Sequence, residues 1–453
     1  MRVVICGAGQ VGSTIARHLA ARGDSVTIID SSAEHAQKIG ESHDVRAITG
    51  HASYPETLRR AGAQDADMLI AVTRSDDVNM VACQVGYSLF GVKRRIARLR
   101  HSGFLKDSAR GLFGPDHMPI DVRISPEFEI AESILRRLLT PGAFEMVPFA
   151  EGRLALMRIR ITDARAPLTG ERLADVQAQR KTAPMTVLAA TRKERTFAPD
   201  ADYRVELGDD LYLLAATEDL ARLQEDFGHR ERLARRIVIA GAGNIGNHLI
   251  RRIRTSLPGT DLKVIERNRE RAEYIAGKFG GALLVLHGDA LASELLEEAQ
   301  AGTADTIVTV TNDDETNIFA TVLAKQAGCK RSIALVEKGA YEKLIPTLGL
   351  DSIINPSAIT IATLLRHISG RAVVSVHPMA GGFAEVIEAI IAEGAPLVGT
   401  TGNETLPEGV RIVALTRGRK ITLAVDDTAI EAGDHVLLLV GQNRWPAAEG
   451  LLR

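Results

Sequence analysis

Cysteine, net charge and long apolar runs are all scarce in this chain of 453 residues. The three cysteines, Cys6, Cys83 and Cys329, lack metal-like spacing and stand in apolar surroundings, so we expect core residues of a protein from a reducing compartment. A net charge of −2 argues against a general nucleic-acid-binding surface. No apolar run approaches the ~20 residues of a membrane-spanning helix. The first strand begins directly after Met1, so we expect no signal peptide.

The opening stretch, residues 3–30, predicts a buried strand, a glycine-rich turn, a helix and a second strand that ends in an acid. This order is typical of a dinucleotide-binding fingerprint. Gly7 permits the tight turn, Gly9 lets the backbone approach a pyrophosphate, and Gly12 allows close packing of helix on strand. The phosphates would then lie at the helix N-terminus, where N–H groups and the helix dipole favour anions.

Asp30 ends the second strand, where its carboxylate can accept hydrogen bonds from ribose hydroxyls. Ser31 and Ser32 follow it, so a 2′-phosphate has no cationic partner there and NAD(H) is favoured over NADP(H). Strands and helices continue to alternate as far as a strand at 96–99, which predicts a doubly wound parallel sheet. From 144 to about 227 the periodicity changes to that of a small α+β domain.

The chain then repeats itself. Gly241, Gly243 and Gly246 take the roles of the first three glycines, and Glu266 takes that of Asp30. Further landmarks recur in the same order, and they form these pairs: 49–52 with 287–290, 66–73 with 304–311, 125–127 with 355–357, 166–170 with 395–399, and 208–209 with 433–434. The chain is therefore a tandem duplication of a two-domain unit, and its length alone predicts about three or four domains.

This arrangement resembles the TrkA family, the cytoplasmic regulatory subunits of bacterial Trk-type potassium uptake systems, which consist of two RCK (regulator of potassium conductance) units in tandem. The resemblance rests on the GAGQVG and GAGNIG turns, the acids, the Ser-Pro-Glu helix start and the Ala-Pro-Leu-x-Gly turn. It implies an α/β fold with two doubly wound Rossmann-like (RCK N-terminal) domains, each followed by a small α+β (RCK C-terminal) domain.

The domain limits that follow are six. They are 1–123 for the first N-terminal domain, 124–143 for a crossover helix and linker, 144–228 for the first C-terminal domain, 234–353 for the second N-terminal domain, 354–369 for its crossover helix and linker, and 370–453 for the second C-terminal domain. The amphipathic helix after 125 has two open interpretations: packing within the chain, or packing on another subunit.

The resemblance also implies a cytoplasmic protein, peripheral on the inner face of the plasma membrane, that assembles as a homo-oligomer, a ring of four subunits. Its partner would be a potassium-translocating membrane subunit of the Trk type, with no nucleic acid and no membrane insertion of its own. Bound NAD(H) or ATP/ADP would bias the ring between conformations. We expect neither a metal site nor a catalytic residue.

Residue by residue, the resemblance assigns nucleotide binding to two sets of positions. The first set is Gly7, Ala8, Gly9, Gln10, Val11, Gly12, Asp30, Thr73, Arg74 and Arg98; the second is Gly241, Ala242, Gly243, Asn244, Ile245, Gly246 and Glu266. Arg98 could instead be an ordinary surface ion-pair residue.

The two sites are unequal. Leu335 stands at the position of Arg98, Asn312 at that of Arg74, Arg267 at that of Ser31, and Asp289 at that of His51. We therefore expect the sites to differ in affinity or in the nucleotide they prefer.

Two other functions compete with this interpretation. An NAD-dependent oxidoreductase needs a proton-transfer residue and a substrate domain, and the histidines at 229, 377 and 435 have no partner that the sequence identifies. A regulator of a potassium efflux system shares the same domain type, but such regulators usually carry one unit. Both are less favoured than uptake.

Overall fold

The structure, a computed structural model, describes residues 1–42, 44–105, 111–114, 116–178, 183–193, 195–338, 341, 348–368, 372–379, 382–401, 406–423, 427–442 and 444–452. The chain forms two compact units. The first contains Met1–Glu129 and Pro356–Ser369, and the second contains Ile130–Asn355 and Gly370–Arg453.

The first half opens with six parallel strands. They are β1 (Arg2–Cys6), β2 (Ser25–Asp30), β3 (Arg46–Thr49), β4 (Met68–Ala71), β5 (Arg94–Arg98) and β6 (Val122–Ile124). The helices between them are α1 (Gln10–Ala21), α2 (Ala33–Ser42), α3 (Pro55–Arg60) and α4 (Asp76–Phe90). The strand order is β3-β2-β1-β4-β5-β6: β2 and β3 lie on one side of β1, and β4, β5 and β6 lie on the other, so the strand order reverses at the junction of β1 and β4. Ligands of open α/β sheets bind at such a switch point, outside the carboxyl ends of the strands.

Apolar strands hold this sheet together. In β4 all four residues are buried, and in β1 only Arg2 is exposed. Ser75 caps α4 by accepting a hydrogen bond from the Val78 N–H, and the sequence Ser75-Asp76-Asp77 is typical of such a helix start.

A helix and a small antiparallel sheet follow. The elements are α5 (Pro126–Leu139), β7 (Ala143–Phe149), β8 (Leu154–Arg160), α6 (Leu173–Ala178), β9 (Met185–Arg192), β10 (Arg195–Phe197), β11 (Asp210–Ala216) and α7 (Leu220–Asp226). The strand order is β10-β9-β11-β8-β7. The charged stretch 230–236 is mostly exposed.

The second half repeats the parallel sheet. Its strands are β12 (Arg236–Ala240), β13 (Asp261–Glu266), β14 (Leu284–His287), β15 (Thr306–Thr309), β16 (Arg331–Leu335) and β17 (Ser352–Ile354), with helices α8 (Asn244–Ser256), α9 (Arg269–Phe279), α10 (Ser293–Glu298) and α11 (Asp314–Gln326). The order β14-β13-β12-β15-β16-β17 is that of the first sheet.

The second small sheet repeats the first one. Its elements are α12 (Pro356–Ile368), β18 (Val373–Pro378), β19 (Ala384–Ile390), β20 (Val410–Arg417), β21 (Lys420–Thr422), β22 (His435–Gly441) and α13 (Trp445–Leu452). The strand order is β18-β19-β22-β20-β21. If the five strands of each small sheet are numbered from 1 to 5 in chain order, both sheets have the order 1-2-5-3-4, so their topology is the same. The predicted fold class and the tandem duplication are therefore confirmed.

The two small sheets share an apolar core. Phe149, Leu156 and Tyr212 of the first sheet belong to the same buried cluster as Val386 and Leu437 of the second. Each crossover helix, in turn, meets the first helix of the other half. α12 packs against α1, and Glu132 of α5 forms a bidentate salt bridge with Arg252 of α8.

Two details differ from the sequence-based expectation. The sixth strand of each parallel sheet, β6 and β17, had not been predicted. The limit between 354–369 and 370–453 falls on residues outside the described ranges, and the six domain limits stay predictions. No helix among the described residues has the length and apolar character to cross a membrane.

Candidate functional site

The first glycine-rich turn joins β1 to α1. Gly7 has φ +109° and donates its N–H to the Ile29 carbonyl at 2.7 Å, so the turn is tied to the neighbouring strand β2. A Cβ on Gly12 would lie 1.9 Å from the Gly7 carbonyl oxygen, whereas a Cβ on Gly9 would meet no atom within 4 Å. Gly12 is therefore required by packing, and Gly9 faces open space that a ligand can enter.

The second turn, between β12 and α8, has the same geometry. Gly241 has φ +102°, a Cβ on Gly246 would lie 2.1 Å from the Gly241 carbonyl oxygen, and Gly243 faces open space. Gly9 and Gly243 are the N-caps of α1 and α8, and neither helix has a side-chain cap. Both helix N-termini can therefore offer backbone N–H groups to an anion.

The remaining turn residues fill matching places in the two halves. Ala8 and Ala242 are buried beneath the turns. Gln10 and Asn244 are exposed at the first helical position, while Val11 is buried and Ile245 half-buried at the second.

The two acids hold the turns in place. Asp30 accepts the Ala8 N–H at 2.6 Å and the Ser32 N–H at 2.8 Å. Glu266 accepts the Ala242 N–H at 2.6 Å and the Asn268 N–H at 2.8 Å. Each carboxylate oxygen still has a lone pair for a ribose hydroxyl, because a carboxylate offers about four acceptor sites.

Thr73, beyond the end of β4, is fixed by the buried Asn79 of α4. The Asn79 Oδ1 accepts the Thr73 N–H at 2.9 Å and the Thr73 hydroxyl at 2.7 Å, and its Nδ2 donates to the Arg98 carbonyl at 2.9 Å. Arg74 is exposed next to it. The asparagine thus pins the carboxyl ends of two neighbouring strands. Asn79 and Asn317 stand at equivalent positions of the two halves, but the sequence gives no sign of this role.

The second half contains the same device. Asn317 is 1% exposed, accepts the Thr311 N–H at 2.9 Å and donates to the Leu335 carbonyl at 2.9 Å.

Arg98 lies beside a buried acid. Its Nη2 is 3.7 Å from Oε1 of Glu127, and Arg100 donates from Nε to the same oxygen at 3.0 Å. Glu127, in the first turn of α5, is 4% exposed. The three side chains form one ion cluster, so a phosphate at Arg98 would compete with Glu127. The structure thus places Arg98 in an ion pair at the edge of the predicted site.

The equivalent positions of the second half do not carry this combination of charges. Glu337 and Lys338 donate their backbone N–H groups to Asp314, as Arg100 and His101 do to Asp76. The backbones therefore correspond, but the side chains there are those of Leu335, Glu337 and Ser357. Two cations and an anion are replaced by one anion and two uncharged residues.

The three histidines considered as candidate proton-transfer residues lie away from the glycine turns in sequence, and each is close to a glutamate. His229 Nδ1 is 2.9 Å from Glu231, His377 Nε2 is 3.2 Å from Glu145, and His435 Nδ1 is 3.3 Å from Glu388. Sequence reasoning missed all three pairs.

Burial raises the pKa of Glu145, but His377, Arg137 and Arg158 together lower it to about 2. These contacts belong to the small sheets and the adjoining linker. The three cysteines are buried and free, as predicted, and burial raises the pKa of the Cys6 thiol to about 12.

The fold and the paired turns define a class of protein: a tandem of two Rossmann-type domains with a glycine-rich fingerprint in each, combined with two small antiparallel sheets. The sequence profile of the TrkA-N domain matches residues 3–111 and 237–356, and that of the TrkA-C domain matches 386–450. The chain belongs to the TrkA family of Trk system potassium uptake proteins.

Relatives of known name agree along the full length. The Trk system potassium uptake protein TrkA of Azorhizobium caulinodans is 40% identical, and the match covers 100% of this chain and 99% of the relative. The protein of the same name from Halomonas elongata is 37% identical, with 98% and 96% covered. These relatives are named as potassium uptake proteins and not as enzymes, which supports the prediction that the chain is not an enzyme.

Solved structures confirm the fold. The GsuK RCK domain superimposes with a TM-score of 0.61 at 19% identity, covering 99% of this chain and 94% of that one. The GsuK channel bound to NAD gives a TM-score of 0.59 at 17% identity, with 99% and 78% covered.

Proposed function

We propose that this chain is a peripheral cytoplasmic regulatory subunit that gates a potassium-translocating membrane partner in response to bound nucleotide. The observation that carries the proposal is the duplicated fingerprint: both turns have an open glycine at a helix N-cap and a strand-end acid beside it. The potassium uptake system enters the proposal through the relatives, which are named as Trk system potassium uptake proteins.

The proposed ligands are NAD(H) and, as an alternative, ATP/ADP. Solved GsuK structures of similar fold are described as bound to NAD and to ADP. In the first site we assign the phosphates to the turn Gly7–Gly12 and the ribose to Asp30. The other proposed contacts with the nucleotide are Thr73, Arg74 and Arg98, which lie at the strand ends. In the second site we assign Gly241–Gly246 and Glu266. The partner is a membrane subunit of the Trk type, and the working assembly is a ring of four copies.

Gating requires that nucleotide binds one conformation of the assembly better than another. A coupling of about 1–3 kcal/mol changes the ratio of the two states about 5- to 150-fold. By reciprocity, the membrane partner must change the affinity for nucleotide by the same factor.

The experiment follows from this reciprocity. The full chain is titrated with NAD(H), ATP and ADP, with and without the purified membrane subunit, while potassium flux is measured in reconstituted vesicles. We expect a shift in nucleotide affinity, a change in flux and no turnover of NAD(H). The Gly9→Leu/Gly243→Leu double variant is the control, because it fills the open space of both turns. Identical affinities together with an unresponsive flux would mean that the chain is a static scaffold.

A further inference from the structure

Two rings stand together just beyond β3. The ring centroids of His51 and Tyr54 are 4.6 Å apart, with 30° between the ring planes. Among the phenylalanine, tyrosine and tryptophan side chains that the structure describes, that of Tyr54 is the most exposed, at 58%. A tyrosine so open to solvent usually has no role in the core.

The local backbone holds this ring pair in place. Tyr54 donates its N–H to the His51 carbonyl at 3.1 Å, which closes a tight turn, and the His51 Nδ1 is 2.8 Å from the Ser53 hydroxyl. Tyr54 is also the N-cap of α3. The open face of the tyrosine ring is therefore presented by ordered structure.

The ring pair lies on the side of the first fingerprint where a base must go. The glycine turn follows β1, Asp30 ends β2, and Gly50 follows β3, with its N–H donating to the Asp30 carbonyl at 2.9 Å. Neighbouring strands are about 4.8 Å apart. A nucleotide with phosphate at the turn and ribose at Asp30 therefore extends its base toward the end of β3. His35 also borders this place, since its Nδ1 is 3.7 Å from the Asp30 Oδ1.

The equivalent positions of the second half carry no such rings. Asp289 and Ala292 stand where His51 and Tyr54 do, and Arg271 replaces His35. Arg267 adds a side chain that is 83% exposed, with its Nε 3.9 Å from the Asp289 carboxylate. This surface offers charge but no aromatic face.

We propose that Tyr54, supported by His51, is a stacking surface for the base of the nucleotide and determines base specificity in the first site alone. The ligand class is a purine nucleotide, whose flat base can cover the tyrosine ring. The second site then discriminates by charge and depends little on the base. This inference rests on the proposed nucleotide binding at the fingerprint turns.

The test uses the full chain with Gly243→Leu, so that only the first site is open. Two probes are titrated by calorimetry: ADP, and ribose 5-diphosphate, which has the same phosphates but no base. Loss of base–aromatic stacking typically weakens binding about 5- to 150-fold. We therefore expect Tyr54→Ala to weaken ADP binding by such a factor and to leave ribose 5-diphosphate unaffected.

Matched variants separate the ring from other effects. Tyr54→Phe retains the ring and should retain the affinity for ADP. Tyr274→Ala removes another exposed tyrosine, on α9, and should change nothing. Ala292→Tyr in the Gly9→Leu background places a ring in the second site and should tighten ADP there.

The two possible failures are distinguishable. If ADP and ribose 5-diphosphate both bind and Tyr54→Ala leaves ADP unchanged, the stacking proposal is wrong while nucleotide binding stands. If neither probe nor NAD(H) binds the Gly243→Leu protein, the assignment of the first fingerprint is wrong, and the stacking proposal falls with it. The apparent Tm of every variant confirms that it is folded.

Discussion

Gly9 and Gly12 are three residues apart in the same turn, yet the structure predicts opposite consequences for their substitution. A Cβ at Gly12 would lie 1.9 Å from a backbone oxygen, so even alanine must displace the turn or the helix. Overpacking of this kind costs about 1–3 kcal/mol, occasionally more. For a domain of this size that corresponds to a fall of about 2 to 12 °C in apparent Tm.

Gly9 has φ −65° and no atom within 4 Å of its Cβ position. Gly9→Leu therefore introduces no backbone strain, and the less favourable N-cap costs about 1 kcal/mol or less. The leucine side chain occupies the space through which the backbone would approach a pyrophosphate. We expect binding at the first site to be lost while the fold is retained.

The assay combines thermal unfolding of the full chain with calorimetric titration of NAD(H) in a Gly243→Leu background. Gly12→Ala should lower the Tm, and Gly9→Leu should remove binding at nearly unchanged Tm. Gly246→Ala and Gly243→Leu form the matched pair in the second half. If Gly9→Leu binds NAD(H) with unaltered affinity, the turn is purely structural. If Gly12→Ala is as stable as the parent, the close approach to Gly7 is not a real constraint.

Two further predictions concern charge. A charge-assisted hydrogen bond contributes about 1.5–3 kcal/mol, so Arg98→Leu should reduce the difference in ATP affinity between the first site and the second. Variants in which only one site is open measure each affinity separately. Arg100→Leu removes the other partner of Glu127 and is the control, which should not reduce ATP affinity. A first site without ATP preference in the parent protein would contradict the reasoning. Burial, together with Arg22 for His18 and with Arg366 and Arg94 for His367, lowers the pKa of each histidine from 6.5 to about 4. Between about pH 4 and pH 6.5 the unfolded chain binds protons at these histidines that the folded chain does not. The free energy of unfolding should therefore have its full value above about pH 6.5 and fall toward pH 4. The fall is up to about 1.4 kcal/mol per pH unit for each histidine. Urea unfolding at pH 7 and pH 5 measures this dependence, and an unchanged pH dependence in His18→Leu/His367→Leu would refute it.

Strong local patterns made most of the fold predictable from the sequence. The glycine turns, the buried strands and the Ser75 cap each depend on residues that are close in the chain. The sixth strands were missed because Val122–Ile124 and Ser352–Ile354 have three residues each, too few for a periodic signal. Their place in the sheet depends on pairing with β5 and β16.

Outside the nucleotide site, several ion pairs depend on contacts that no local pattern contains. Glu145 and His377 are far apart in the chain and meet only through the packing of the small sheets. The recurring Gly-Asp pairs were recognised as landmarks, and the structure explains them. Asp209 and Asp434 are each 1% exposed and bind Arg192 and Arg417 with both carboxylate oxygens. A spacing pattern can indicate that a residue recurs, but it does not identify the arginine it binds.

The shared core of the small sheets has a consequence for the history of the gene. Arg158 of β8 and Glu388 of β19 occupy equivalent strand positions. Arg158 binds Asp210 of its own half, whereas the buried Glu388 accepts the Ala150 N–H of the other half. Two identical halves would place the same residue at both positions, so these two contacts could not both form. Fusion into one chain lets the copies diverge at such positions, so each half becomes committed to the other. An exchange of halves between such chains would therefore have to keep Glu388 with its partner.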